Sequence, residues 1–229
     1  MPLGYTALLA DEIYGPVSAL QKDHIGRVRA SGYHLLGLIE DLLSYARVEA
    51  GHEIVHAERI ALLDVVEASL VLVRPLAEKK GLRIRVESPA EPIEMNTDPR
   101  KLSQILINLL ANAVKFSDMG EIVLILRVEG QDKEMRVVFE VTDSGRGIPI
   151  EVQSHIFDPF WQADTASMKT SGSSGLGLSV ARQLARLLNG DVTIARSEPG
   201  QGSTFVVSLP MNYVAPAEPV DGRSPQSIV

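Results

Sequence analysis

The chain has 229 residues, 45% hydrophobic and 22% charged, with a mean hydropathy of +0.08, which suits one good core plus a smaller helical element. A net charge of -7 and an isoelectric point near 5.3 argue against non-specific nucleic-acid binding, and no run of Lys and Arg offers a groove-binding face. The absence of cysteine excludes disulfide frameworks, thiolate zinc sites and cysteine nucleophiles. The five histidines contain no His-Glu-x-x-His pair, and His52 and His56 read as surface positions. No apolar run reaches membrane-spanning length and no signal peptide opens the chain, so the expected location is the cytoplasm.

Residues 2–14 read as a short helix that begins abruptly, and Gly15 and Pro16 break it. A second helix is expected over residues 22–50. Its Ile25, Val28, Gly32, Leu35, Ile39, Leu42 and Ala46 fall three and four apart, which is a bundle seam that Leu36 and Leu43 widen. Two helices alone bury too little. A homodimeric four-helix bundle supplies the partner, with packing on the rest of the same chain as the alternative. Gly51 ends this helix; a short strand over 53–58 then leads to a helix over 60–80, closed by Gly81, and to an alternating strand over 82–87.

Residues 102–117, LSQILINLLANAVKFS, form the next helix. Leu102, Ile105, Leu106, Leu109, Leu110 and Val114 give it a broad core-facing side, Asp98 or Thr97 can cap it, and Pro99 suits its first turn. Asn108 and Asn112 sit one turn apart on it. An unpaired buried amide costs about 1–3 kcal/mol, so the pair calls for a hydrogen-bond network or a polar ligand. Two amides at this spacing, followed by Lys115, favour the ligand. Strands follow at 121–128 and 135–142, joined through Gly130, Gln131 and Asp132; then come a helix over 176–188 and two closing strands at 191–195 and 204–209. The pattern predicts one sheet covered on one side, a two-layer α/β sandwich. Residues from about 214 are rich in Pro, Ser and acid and read as disordered.

Two glycine motifs follow the Asn helix. In DSGRGIP, residues 143–149, a carboxylate at a strand end can accept a hydrogen bond from an amino group on a base, and the glycines let backbone approach a flat ligand. In GSSGLGL, residues 172–178, backbone N–H groups at a helix start make a site for phosphate oxygens. It is neither a Walker loop nor a dinucleotide fingerprint, because no Gly-Lys-Ser/Thr and no parallel βαβ unit accompanies it. Between them lie Phe157 and Phe160 and the polar stretch 163–171. These read either as a latch with a lid over nucleotide or as a surface loop anchored by two core phenylalanines.

Together and in order, LINLLANAVKFS, DSGRGIP, IFDPFWQ, GSSGLGL and GSTF resemble the N, G1, F, G2 and final glycine boxes of sensor histidine kinases. The resemblance covers residues 51 to about 210 as an ATP-binding catalytic domain, and residues 31–51 are similar to the second helix of the dimerisation and phosphoacceptor domain. It implies a histidine kinase/gyrase-type sandwich behind an antiparallel helical hairpin that forms a dimeric bundle. The domains would be 1–50, 51–212 and a disordered tail 213–229.

The resemblance also implies roles. Asn112 would bind the Mg²⁺ that bridges the phosphates of ATP, Asn108 would assist, and Lys115 would neutralise phosphate charge. Asp143 would read the adenine amino group, with Gly145 and Gly147 making room for the base. Phe157 and Phe160 would seat the lid, while Gly172, Gly175, Leu176 and Gly177 would shape the loop and helix start around the triphosphate. ATP-hydrolysing relatives usually carry a glutamate where Asn108 stands, so a phosphotransferase is preferred over an ATPase. Pro2 and Leu3 match the end of the family's His-x-x-x-x-Pro-Leu box, whose histidine would fall four residues before Met1. His34 and His24 are not substitutes.

The expected function is therefore transfer of the γ-phosphoryl of Mg-ATP to a histidine absent from this chain, for relay to a response regulator receiver domain, by a chain cut off or mis-started after that histidine. Two alternatives remain open: an ATP-binding dimerisation module that regulates partner kinases, and a serine kinase.

Overall fold

The structure, a computed structural model, describes residues 2–162 and 175–215. Two helices lead: α1 (Pro2–Ala10) and α2 (Ala19–Glu49). Helix α1 stops four residues short of the expected Tyr14, and α2 begins three residues early because Ser18 and Gln21 form a capping box, each side chain bonding the other's backbone N–H. Gly51, at a φ of 66°, closes α2 as anticipated. Along α2 the seam residues Val28, Leu35, Leu36, Ile39, Leu42 and Leu43 remain 44–60% exposed; only the C-terminal end of the helix, through Tyr45 and Val48, packs on the core of the same chain.

A two-layer sandwich follows. Its elements are β1 (Glu58–Ala61), α3 (Leu62–Lys79), β2 (Arg83–Glu87), β3 (Glu94–Thr97), α4 (Pro99–Phe116), β4 (Glu121–Glu129), β5 (Arg136–Asp143), α5 (Gly177–Leu187), β6 (Asp191–Ser197) and β7 (Ser203–Pro210). The main sheet has the order β2-β4-β5-β7-β6 and is mixed, with β2 parallel to β4 and the other neighbours antiparallel. Period-two alternation decides which face is covered. One cross-strand row runs Leu126, Phe139, Val207, Val192, all buried, beneath Leu106, Leu110 and Val180 in one continuous core. The other face carries pairs such as Arg127 with Glu140 (2.7 Å) and Thr142 with Thr204 (3.1 Å).

Two expectations need correction. The strand placed at 53–58 forms only from Glu58 onward, because residues 53–57 are used to anchor the start of α4 instead. There is also a second sheet, β1 with β3, that the sequence does not announce. Residues 211–213 lie on the far side of β3: Asn96 N–H donates to the Met211 carbonyl (3.0 Å) and Tyr213 N–H to the Asn96 carbonyl (2.8 Å). Asn189 Nδ2 then donates to the Val214 carbonyl at 2.7 Å, so the folded part reaches past the expected start of the tail at 213.

Candidate functional site

Helix α4 is the site's backbone, and its N-terminus is fixed first. Asp98 caps it, its Oδ1 accepting from the N–H groups of Arg100 (3.0 Å) and Lys101 (3.2 Å), with Pro99 at the first position. Asp98 Oδ2 accepts from the His56 N–H at 2.9 Å and faces Lys101 Nζ at 3.2 Å, and Lys101 Nζ also reaches Glu53 Oε1 at 2.9 Å. Both Asp98 and Lys101 are buried. Burial alone would raise the Asp98 carboxyl, but the hydrogen bonds from His56 and Lys101 outweigh it and hold the group below the usual carboxylate range. At the other end Lys80 Nζ donates to the carbonyls of Val114 (2.9 Å), Lys115 (2.7 Å) and Ser117 (3.1 Å), satisfying the groups that a helix C-terminus leaves open.

Between these fixed ends, Asn108 and Asn112 are half-buried on the face turned to α5. A side-chain carbon added at Gly177, the first residue of α5, would lie 3.9 Å from Asn112 Nδ2 and 4.0 Å from Asn108 Oδ1. The N-terminus of α5 therefore confronts the amide pair, and its aligned N–H groups present partial positive charge there. Asn108 Nδ2 is buried and has no hydrogen-bond partner among the described residues. That is an orphaned donor, costly unless a polar ligand completes it.

Asp143 ends β5 and is 7% exposed. Its Oδ1 accepts from Gly145 N–H (2.8 Å) and Ser203 N–H (3.3 Å), leaving Oδ2 as the acceptor for a ligand. Burial pushes this carboxyl above the usual range, and the two backbone hydrogen bonds oppose that only in part. The glycines beside it answer first to the protein's own backbone. A carbon at Gly145 would sit 2.5 Å from the Phe116 carbonyl oxygen, and one at Gly147, whose φ is +69°, would collide with the Glu198 carbonyl. Lys115 is half-buried, 5.4 Å from the Phe116 ring centroid; burial, then the charges of Arg146 and Lys80, hold its ammonium below the usual lysine range.

The two phenylalanines part company. Phe157 packs edge-on against Phe205 at 6.4 Å and lies beside the Arg182 guanidinium at 4.6 Å. Phe160 is 58% exposed and so is not a core residue: its positive φ of 62° turns the ring toward Tyr45 of α2 at 6.4 Å. Its backbone N–H nonetheless donates to the Gly175 carbonyl at 3.1 Å, tying position 160 to position 175. Leu176, the residue that immediately precedes α5, is buried. Gly172 and the stretch 163–171 lie outside the described residues. Asn108 and Asn112 thus face Gly177, while Gly145, bonded to Asp143, and Lys115 lie beside Phe116 at the C-terminal end of α4. The sequence reading passed over Lys101 and Arg146; no motif flags either, although Arg146 lies inside DSGRG.

The sequence profile of the family described as "Histidine kinase-, DNA gyrase B-, and HSP90-like ATPase" matches residues 97–213, which span α4, β5 and α5. The chain belongs to that family. Among curated relatives of this ATPase-family chain, the autoinducer 2 sensor kinase/phosphatase LuxQ of Vibrio parahaemolyticus is 36% identical over 213 residues, 91% of this chain and 24% of LuxQ. The circadian input-output histidine kinase CikA of Synechococcus elongatus is 34% identical over 226 residues, 95% of this chain and 29% of CikA. The chain spans about a quarter of the length of these relatives. Full-length ShkA in complex with AMPPNP is similar over 93% of this chain and 43% of its own, with a TM-score of 0.74 and 30% identity. The nucleotide-free catalytic domain of the histidine kinase ThkA matches over 69% of this chain and 97% of its own, with a TM-score of 0.56 and 27% identity.

Proposed function

We propose that this chain is the ATP-binding catalytic part of a two-component sensor histidine kinase, with residues 51–212 as the catalytic domain and residues 1–50 as part of its dimerisation hairpin. The single observation that carries the reading is the orphaned Asn108 amide beside Asn112, facing the N-terminus of α5. A Mg-bound polyphosphate would meet the amide pair and the N-terminus of α5 together.

The residues fit such a ligand. Among the described residues no group of three or more His, Asp or Glu could hold a metal, so the protein's share in a Mg²⁺ site is an amide oxygen from Asn112. That suits an ion that keeps several waters and shares the rest of its shell with phosphates. The bound ion would neutralise phosphate charge. Asn112 and Asn108 orient the phosphate chain, Lys115 and the α5 N-terminus oppose its negative charge, and Asp143 Oδ2 accepts a hydrogen bond from the exocyclic amino group of adenine. An asparagine amide has no useful basicity at neutral pH, so position 108 does not activate water. The side chains position and stabilise rather than attack, which is what phosphoryl transfer asks of a protein. The acceptor is a histidine on a helical hairpin, and a response regulator receives the phosphate from it.

The test is incubation of the chain with γ-labelled ATP, Mg²⁺ and a hairpin that carries the His-x-x-x-x-Pro-Leu box. The expected result is label on the hairpin that is lost in acid and stable in base. Acid-stable label would point to a serine kinase, and ATP binding with no label on any hairpin to a regulatory module. The exposed α2 seam supports a homodimer through the hairpin. No helix among the described residues is long and apolar enough to cross a membrane.

A further inference from the structure

Four consecutive carbonyls end α4, and two parts of the chain divide them. Those of Val114, Lys115 and Ser117 accept from Lys80 Nζ at 2.9, 2.7 and 3.1 Å, one for each N–H of a single ammonium. The one between, that of Phe116, accepts from the Arg146 backbone N–H at 3.4 Å, and a side-chain carbon at Gly145 would lie 2.5 Å from it. The turn that follows is fitted to the same loop: Ser144 Oγ donates to the Met119 carbonyl at 2.7 Å, and a carbon at Gly120 would collide with Ser144 Oγ. Lys80 reaches the carbonyls from a fixed root at the end of α3. Its own N–H donates to the Ala77 carbonyl at 3.0 Å, and Gly81, at a φ of +70°, turns the chain toward β2. Carbonyl oxygens gathered on one positive charge are what a monovalent cation requires when it sheds its water.

Resting on the nucleotide reading above, we propose that the Val114, Lys115 and Ser117 carbonyls form a monovalent-cation site that the Lys80 ammonium fills from within the chain, which makes Lys80 a positioning residue for the base-reading loop. Holding the carbonyls on both sides of Phe116 sets the direction of the Phe116 carbonyl. That oxygen in turn seats the loop in which Gly145 N–H donates to Asp143 Oδ1 at 2.8 Å. Lys80 thus acts on the base site through backbone alone, from the end of a neighbouring helix. A chain that carries its own cation has no need of an external one, and the site opens to small cations only when the ammonium is removed.

The experiment compares the full chain with Lys80→Ala in the chlorides of tetramethylammonium, potassium and ammonium at one ionic strength, below the thermal transition of both. In tetramethylammonium, which has the charge but no N–H, Lys80→Ala is expected to bind ATP and adenosine about tenfold more weakly than the parent, the scale of one charge-assisted hydrogen bond. Ammonium should restore most of the affinity for both ligands and potassium part of it, while the parent is indifferent to the salt. Hydrogen exchange over residues 143–149, read without nucleotide, should quicken in the variant and slow again in ammonium. A loss for ATP with none for adenosine would overturn the proposal, because Lys80 would then act only as a positive charge near Lys115. A loss that ammonium does not restore would overturn it by showing a merely structural role, and an unchanged affinity would overturn it outright. Should Lys80→Ala lose its thermal transition, Lys80→Met, which keeps most of the stem, is read the same way. A parent that binds no ATP, beside exchange in the variant that ammonium still reverses, would sink the nucleotide reading and leave the cation site standing.

Discussion

Asn112 carries the sharpest expectation at the scale of single residues. Asn112→Ala should abolish Mg-dependent ATP binding while the circular dichroism spectrum stays unchanged; retained Mg-dependence in a calorimetric titration would move the metal elsewhere. Asp143→Asn should weaken adenine recognition, read as a loss of the preference for ATP over GTP. The pH dependence follows from the direction of its shift. A carboxyl raised by burial binds its proton at a higher pH than an ordinary aspartate, and the protonated form is a poorer acceptor for an amino group. ATP affinity should therefore fall as pH drops, beginning above the usual carboxylate range, and the Asn variant should lose that dependence.

The element that organises the molecule is α4, and its start is a buried ionic knot. Asp98→Ala removes the cap and deprives buried Lys101 of one of its two carboxylate partners, for a cost of about 3 kcal/mol in urea unfolding. Pairing it with Lys101→Met should return part of that loss. Because Asp98 is held below the usual range, its contribution is complete above the unfolded pKa. It is lost only as pH falls through the lower folded value.

This knot also shows where sequence reading stops. The α4 stripe, the cap at Asp98 and the alternation of β4, β5 and β7 are local periodicities and were legible. Lys101 was not, since its partner Glu53 lies 48 positions away and a lysine at a helix start ordinarily faces solvent. Nor was β3, whose Glu-Met-Asn-Thr has no pattern to distinguish it from a loop. The alternative that made Phe160 a core anchor fails, because its ring is 58% exposed and turned toward α2, which local sequence does not signal.

At the scale of the whole molecule the two parts meet along a narrow seam. Tyr45 touches Phe160, Glu49 Oε2 accepts from Gln183 Nε2 at 3.0 Å, and Gln104 Nε2 reaches Ser44 Oγ at 3.5 Å. The rest of α2, packed only on α1 among the described elements, leaves a row of aliphatic side chains exposed. Ile39→Glu should shift a dimer to monomer in sedimentation velocity while leaving ATP binding within about twofold, since Ile39 lies on the exposed seam and outside the cleft. A parent chain that sediments as a monomer at every concentration would refute the bundle.

The small sheet has a topological consequence. Strand β1 runs antiparallel to β3, and residues 211–213 run parallel to it on the opposite side. The polypeptide therefore enters the sandwich before Glu58 and leaves it after Tyr213 at the same end of this three-ply ribbon, roughly 10 Å or two strand spacings apart. The sandwich is in effect a closed ring with adjacent ends, the arrangement that tolerates circular permutation. Residue 214 therefore leaves the ribbon beside the segment that joins α2 to β1.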